Sequence, residues 1–118
     1  MAANLHELAK AYAIRIVNAQ KYLLSEKQET RISDQLKRSG TAVMALLAEA
    51  QYAQSRADFI NKLQVALKEA NESRDWLNLL HDTGYIDDDV HRSIIKDVST
   101  IIFLLVRSIN TAKSNAPD

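Results

Sequence analysis

Three histidines, His6, His81 and His91, are the side chains best suited to proton transfer or metal ligation near neutral pH. A helical di-iron centre sets a Glu three residues before each ligating His. Here those positions hold Ala3, Asn78 and Asp88. Only Asp88 and His91 approach the pattern, and they fall in the first turn of a predicted helix, where a solvated capping turn accounts for both. His81 falls at the end of another helix, where a cation suits the negative end of the dipole. Glu69 and Glu72 stand at i and i+3 among Lys68, Arg74 and Asp75, the pattern of a charged helix flank rather than of an acid/base pair. Gly40 and Gly84 are isolated, so no glycine-rich loop cradles a phosphate, and no Gly-x-Ser-x-Gly elbow is present. With no Cys, disulfides, zinc fingers, iron–sulfur clusters and thiol catalysis all fall away. The expectation is a protein that is not an enzyme, with no catalytic residues, metal, cofactor or small-molecule substrate.

The elements that would position any site follow from composition. At 118 residues the chain has room for one core. Only 2 Gly and 1 Pro are present, too few turn-formers for a β-sandwich or barrel. Basic and acidic residues balance at 15 each, which argues against a dedicated nucleic-acid binder. No unbroken apolar run approaches the roughly 20 residues of a membrane span. Glu7 and Lys10 interrupt the N-terminus, so it lacks the apolar region of a signal peptide. A cytoplasmic, all-α domain without membrane contact is expected.

Helical periodicity recurs in four segments. The first runs from about Asn4 to Leu24, with Leu5, Leu8, Tyr12, Ile16, Ala19 and Leu23 on one stripe and an Asn4/Glu7 capping box at its start. The second runs from about Glu29 to Ala53, with Ile32, Leu36, Val43, Leu47 and Ala50 inward. Gly40, at its small-residue middle, costs about 1 kcal/mol relative to Ala and suits the close approach of another helix. Ser55 and Asp58 cap the third, whose stripe is Phe59, Leu63, Ala66, Ala70 and Leu77 and whose stop is Gly84. Asp87 to Asp89 open the fourth, which carries Val90, Ile94, Val98, Ile101, Leu105 and Ile109. Connections this short give an antiparallel up-down-up-down four-helix bundle over residues 1–113, with a frayed tail at 114–118.

Each helix of a bundle needs one apolar stripe little more than about 100° wide. The fourth helix exceeds that, because Ile95, Ile102 and Val106 lie beside its first stripe and Phe103 falls outside both. The third adds Val65, Trp76 and Leu79 away from its core face, and the first adds Ile14 and Tyr22. This surplus predicts self-association, with Val65, Trp76, Leu79 and Phe103 at the subunit contact. A second stripe of the second helix, Gln35, Arg38, Ala42, Ala45 and Glu49, invites a closely packed neighbour that pairs with Arg38 and Glu49, which join the interface set. Lys10, Arg15, Lys21, Lys27, Arg31 and Arg38 supply a second reading, a basic face for RNA or a nucleoprotein.

The run Ser33-Asp34-Gln35-Leu36-Lys37-Arg38-Ser39 is followed by Ala48-Glu49-Ala50, Asp58-Phe59, Ala66 to Glu72, Trp76-Leu77 and Gly84-Tyr85-Ile86. In that order these residues resemble the bacterial four-helix bundle proteins encoded in intervening sequences of 23S ribosomal RNA genes. That family is itself similar to the accessory variability proteins of diversity-generating retroelements. The resemblance spans about residues 5–112. It implies a non-enzymatic bundle forming homo-oligomeric rings, commonly pentamers, some members of which bind RNA or a reverse transcriptase through a basic surface. Gln35, Arg38 and Glu49 match the family's central polar positions, whereas Leu46 and Ala50 stand where the family has Asn and Gly. The expected function is an assembly or interaction module whose partner is itself; the alternative is an RNA- or nucleoprotein-binding accessory protein.

Overall fold

A computed structural model describes residues 2–115, with side chains from Asn4 onward. It contains α1 (Ala2–Glu26), α2 (Arg31–Ala50), α3 (Arg56–Asp82) and α4 (Asp88–Ser114), and no strand among the described residues. Cross-helix contacts give the direction of each helix. Gln20 meets Asp34 and Ile16 meets Gly40; Arg38 meets Glu69 and Glu72 while Glu49 meets Lys62. Asn78 meets His91 while Arg56 reaches the Ala112 carbonyl, and Arg15 meets Asp97. In each of the first three seams one number rises as the other falls, so consecutive helices are antiparallel. The four close into a ring in chain order, and the α1–α4 seam is the most open. The bundle measures 53 × 21 × 19 Å.

Its axis is filled by the residues the periodicity selects. Leu5, Tyr12, Ile16 and Leu23 of α1 meet Leu36, Val43 and Leu47 of α2. Leu63, Ala66, Ala70 and Leu77 of α3 meet Ile94, Val98, Ile101 and Leu105 of α4. Burial of each of the larger aliphatic side chains contributes about 1.5–3 kcal/mol. Gly40 does what its position predicts. A Cβ built there would lie 2.9 Å from Ile16 Cγ1 and 3.0 Å from Cγ2, so α1 packs where only a hydrogen fits. Across the axis, Tyr12 and Ser73 join the two diagonally opposed helices at 2.8 Å, both essentially without exposure.

Helix ends follow local chemistry and correct some expectations. Asn4 lies inside α1 and is not its cap. α2 begins at Arg31, later than Glu29, because the Glu29 carboxylate accepts from the Ile32 and Ser33 amides at 3.1 and 2.7 Å and caps the helix from outside. It ends at Ala50 rather than Ala53, in a turn closed by the Tyr52 and Ala53 amides donating to the Glu49 and Ala50 carbonyls. Ser55 caps α3 by accepting from the Asp58 amide at 3.0 Å, as its spacing predicts. At the other end Gly84 adopts φ +85°, the Gly84 amide donates to the His81 carbonyl and the Tyr85 amide to the Leu80 carbonyl. This paired pattern is a Schellman stop, which places Tyr85 over Leu80. Asp87 then caps α4 through the Val90 amide at 2.8 Å. α4 continues through Ser114, so the helical domain ends one residue later than expected, and residues 116–118 of the expected tail lie outside the described residues.

Candidate interaction surfaces

The α2–α3 seam gathers five of the six residues expected at a subunit contact. Residues 31, 35, 38, 42 and 49 share one side of α2, and 65, 69, 72, 76 and 79 share one side of α3, by the alternation of three and four that keeps side chains on one face. The neighbour that Arg38 and Glu49 find is α3 of their own chain. The Arg38 guanidinium lies 3.3 Å from a Glu69 carboxylate oxygen and also binds Glu72. Glu49 takes Lys62 at 3.0 Å, and this hydrogen bond holds the Lys62 ammonium above its ordinary pKa. Trp76 is half-buried against the core, its indole N–H donating to Glu72 at 3.3 Å beside Ile32 and Gln35. Leu79 remains 40% exposed at the end of the same row. Phe103, the sixth residue, stands apart on the outer face of α4, 60% exposed, with the Arg107 guanidinium 5.8 Å from its ring centre.

The second apolar stripe of α4 divides. Ile95 and Ile102 pack against the core, whereas Val106 is 41% exposed. Val90 was expected inside and is 43% exposed, because the open α1–α4 seam leaves it unburied. Leu8 of α1 is likewise exposed rather than in the core. A cleft of about 400 Å³ opens at that seam between Arg15, Asn18, Ala19 and Tyr22 of α1 and Ile86, Asp87, Val90 and Ile94 of the α3–α4 turn and α4. Ile86 and Ile94 are buried at its floor.

The six basic residues do not converge. Arg15 faces α4 and pairs with Asp97 at 2.7 Å, and Arg38 is held by α3 carboxylates. Lys10 lines a shallow apolar groove between α1 and α2 with Ile14, Val17 and Met44. Arg31 lines the opposite side of α2 beside Trp76. Lys21 and Lys27 are exposed on α1 and on the turn after it.

The histidines are the residues that sequence reasoning placed least well. His6 stands alone on α1, but His81 and His91 stack with ring centres 3.9 Å apart and planes inclined by 13°. His91 is therefore not a solvated capping residue. Ten positions separate the two, a distance set by the length of the α3–α4 turn, and no helical spacing could have signalled the stack. Among the described residues no group of three or more His, Asp or Glu is arranged to hold a metal ion. Nor is any described helix long and apolar enough to cross a membrane.

Comparison with known proteins agrees with this architecture. No curated protein matches the chain. A crystal structure of a protein of unknown function from the S23 ribosomal protein family of Bacteroides thetaiotaomicron is 47% identical. It covers 93% of this chain and 99% of its own, with a TM-score of 0.91. The family model of the 23S rRNA-intervening sequence proteins matches residues 3–107, nearly the whole of the bundle. This chain therefore belongs to the 23S rRNA-intervening sequence protein family.

Proposed function

We propose that the protein is a non-enzymatic assembly module that works by associating with further copies of itself, in the pentameric ring that the family resemblance implies. The observation that carries this reading is the outer face of α4, where Phe103 is 60% and Val106 41% exposed within one turn of each other. Folding of one copy leaves these side chains in water, although each would contribute about 1.5–3 kcal/mol if buried. Leu79, Val65 and the half-buried Trp76 add a second apolar row along the α2–α3 seam. Aromatic side chains half-covered by their own chain are the type that completes its burial against a partner.

Sedimentation of the purified full chain at micromolar concentration tests the proposal. A particle of several chain masses is expected, and Phe103→Asp is expected to shift it to the mass of one chain. A wild-type protein that sediments as a single 13.3 kDa chain overturns the reading.

A further inference from the structure

The turn from α3 to α4 joins two imidazoles from different helices, each with a different set of partners. The His81 Nε2 lies 2.7 Å from the Asp88 carboxylate, and its Nδ1 lies 3.3 Å from Asp82. His91 Nε2 lies 2.8 Å from the Asn78 side-chain oxygen, so this nitrogen carries a proton and donates. His81 thus has a carboxylate at both ring nitrogens, an arrangement that suits the imidazolium. His91 has an amide oxygen at one nitrogen and the face of His81 against its ring, an arrangement that suits the neutral form. A charged ring over a neutral one is attractive, whereas two stacked imidazoliums repel.

We infer that the α3–α4 turn is a proton-operated clasp, closed while His81 is charged and His91 is neutral, and loosened when both are charged or neither is. The groups facing the pair are Asn78 and Asp82 of α3, and Asp88 and Arg92 of α4. Arg15 and Tyr22 of α1 line the same cleft as Asp87. The electrostatics agree with the geometry. The hydrogen bond to Asp88 raises His81 above 6.5. Burial, and then the charge of His81, lowers His91 below 6.5.

The two shifts act on opposite sides of neutrality. For His81 the raised value means that its contribution to the clasp is complete below 6.5 and lost as pH rises through the raised value. For His91 the lowered value means that its contribution is complete above 6.5 and lost as pH falls through the lowered value. The clasp is therefore tightest near 6.5 and weakens in both directions. Asp88, held below its ordinary 3.8 by the same hydrogen bond, fails only in still stronger acid. What the clasp restrains is the segment from Gly84 to Asp87, which carries Ile86 and Asp87 into the α1–α4 cleft. Loosening the turn changes the floor of that cleft.

The test is a histidine NMR titration of the full chain, together with amide exchange at Gly84, Tyr85 and Ile86. His81 is expected to titrate above 6.5 and His91 below it. After correction for intrinsic chemistry, exchange in the turn is expected to rise as pH falls through the His91 titration, as the linkage sign requires. His91→Gln should abolish that rise. In His81→Gln, which removes the neighbouring charge, His91 should titrate higher and the rise should weaken, which keeps the inference testable if the first variant folds poorly. Coincident titrations, or an acid rise that persists in His91→Gln, overturn it.

Discussion

Replacing each partner of the Tyr12–Ser73 bridge should carry unequal costs, and the reason lies in which oxygen donates. Ser73 Oγ lies 2.8 Å from Tyr12 Oη and 2.8 Å from the Ala70 carbonyl. A serine hydroxyl has one proton, and a carbonyl can only accept, so Ser73 donates to Ala70 and Tyr12 donates to Ser73. Tyr12→Phe removes a donor and leaves Ser73 bonded to Ala70. The loss is then one ordinary hydrogen bond, about 1 kcal/mol. Ser73→Ala instead leaves the phenol proton without an acceptor at a residue 1% exposed. Stranding such a group costs about 1–3 kcal/mol, offset by a few tenths from the better helix propensity of Ala.

The double variant should lie close to Tyr12→Phe alone, since neither unpaired group remains. Denaturant melts of the wild type, both single variants and the double variant form a complete cycle. Equal costs for the two single variants, or strict additivity in the double, would refute the assignment of donor and acceptor. A pH series adds an independent check. Burial raises the Tyr12 phenol well above its ordinary 10.0, so the folded state favours the protonated form. Its contribution is complete below 10.0 and lost as pH rises through the raised value, so the stability gap between wild type and Tyr12→Phe should narrow in alkali.

Gly40→Ala should destabilise by about 1 kcal/mol, because crowding of about 1–3 kcal/mol at Ile16 exceeds the roughly 1 kcal/mol gained in helix propensity. In an Ile16→Ala background the same change should stabilise, and melts that show the same sign in both backgrounds would exclude the steric account. Ser108→Ala should raise stability by about 1 kcal/mol, because the Ser108 hydroxyl is buried without a hydrogen-bond partner. A thermal melt reads this directly, and a fall in midpoint would show that the hydroxyl is satisfied in solution.

Sequence reasoning recovered most of the fold because the signals it used are local. The stripe Ile94, Val98, Ile101, Leu105 and Ile109 is buried throughout, and both Ser55 and Asp87 accept the amide three residues on. It misjudged Leu8 and Val90, which have the right periodicity but face a seam whose openness depends on how four helices close, a property no single helix encodes. It misjudged the start of α2 for a chemical reason, since Glu29 caps from outside with its side chain and mimics a helical residue in the pattern. The surfaces were the least legible. Arg38 and Glu49, expected at a contact between subunits, find partners on α3 of their own chain, and a sequence stripe does not say whether the neighbour is the next helix or the next molecule.

That distinction bears on what the α2–α3 seam can contribute to assembly. Arg38 is already held by two α3 carboxylates, and Glu49 by Lys62. In the proposed assembly a partner copy would meet charges that are already paired within the chain. Exposed ion pairs of this kind add little to stability and are weakened by salt. Their effect is on placement: by fixing Glu72 they hold the indole of Trp76, whose N–H donates to that carboxylate, in one orientation. In the assembly proposed above, affinity along this seam would come from Trp76, Val65 and Leu79, and the ion pairs would set the register in which those side chains are presented. Arg38→Gln should accordingly change the salt dependence and uniformity of assembly more than its strength, whereas Trp76→Ala should weaken assembly at any salt concentration. Sedimentation of both variants across an ionic-strength series separates the two effects. A larger loss of assembly from Arg38→Gln than from Trp76→Ala would mean that charge, not apolar burial, joins the copies.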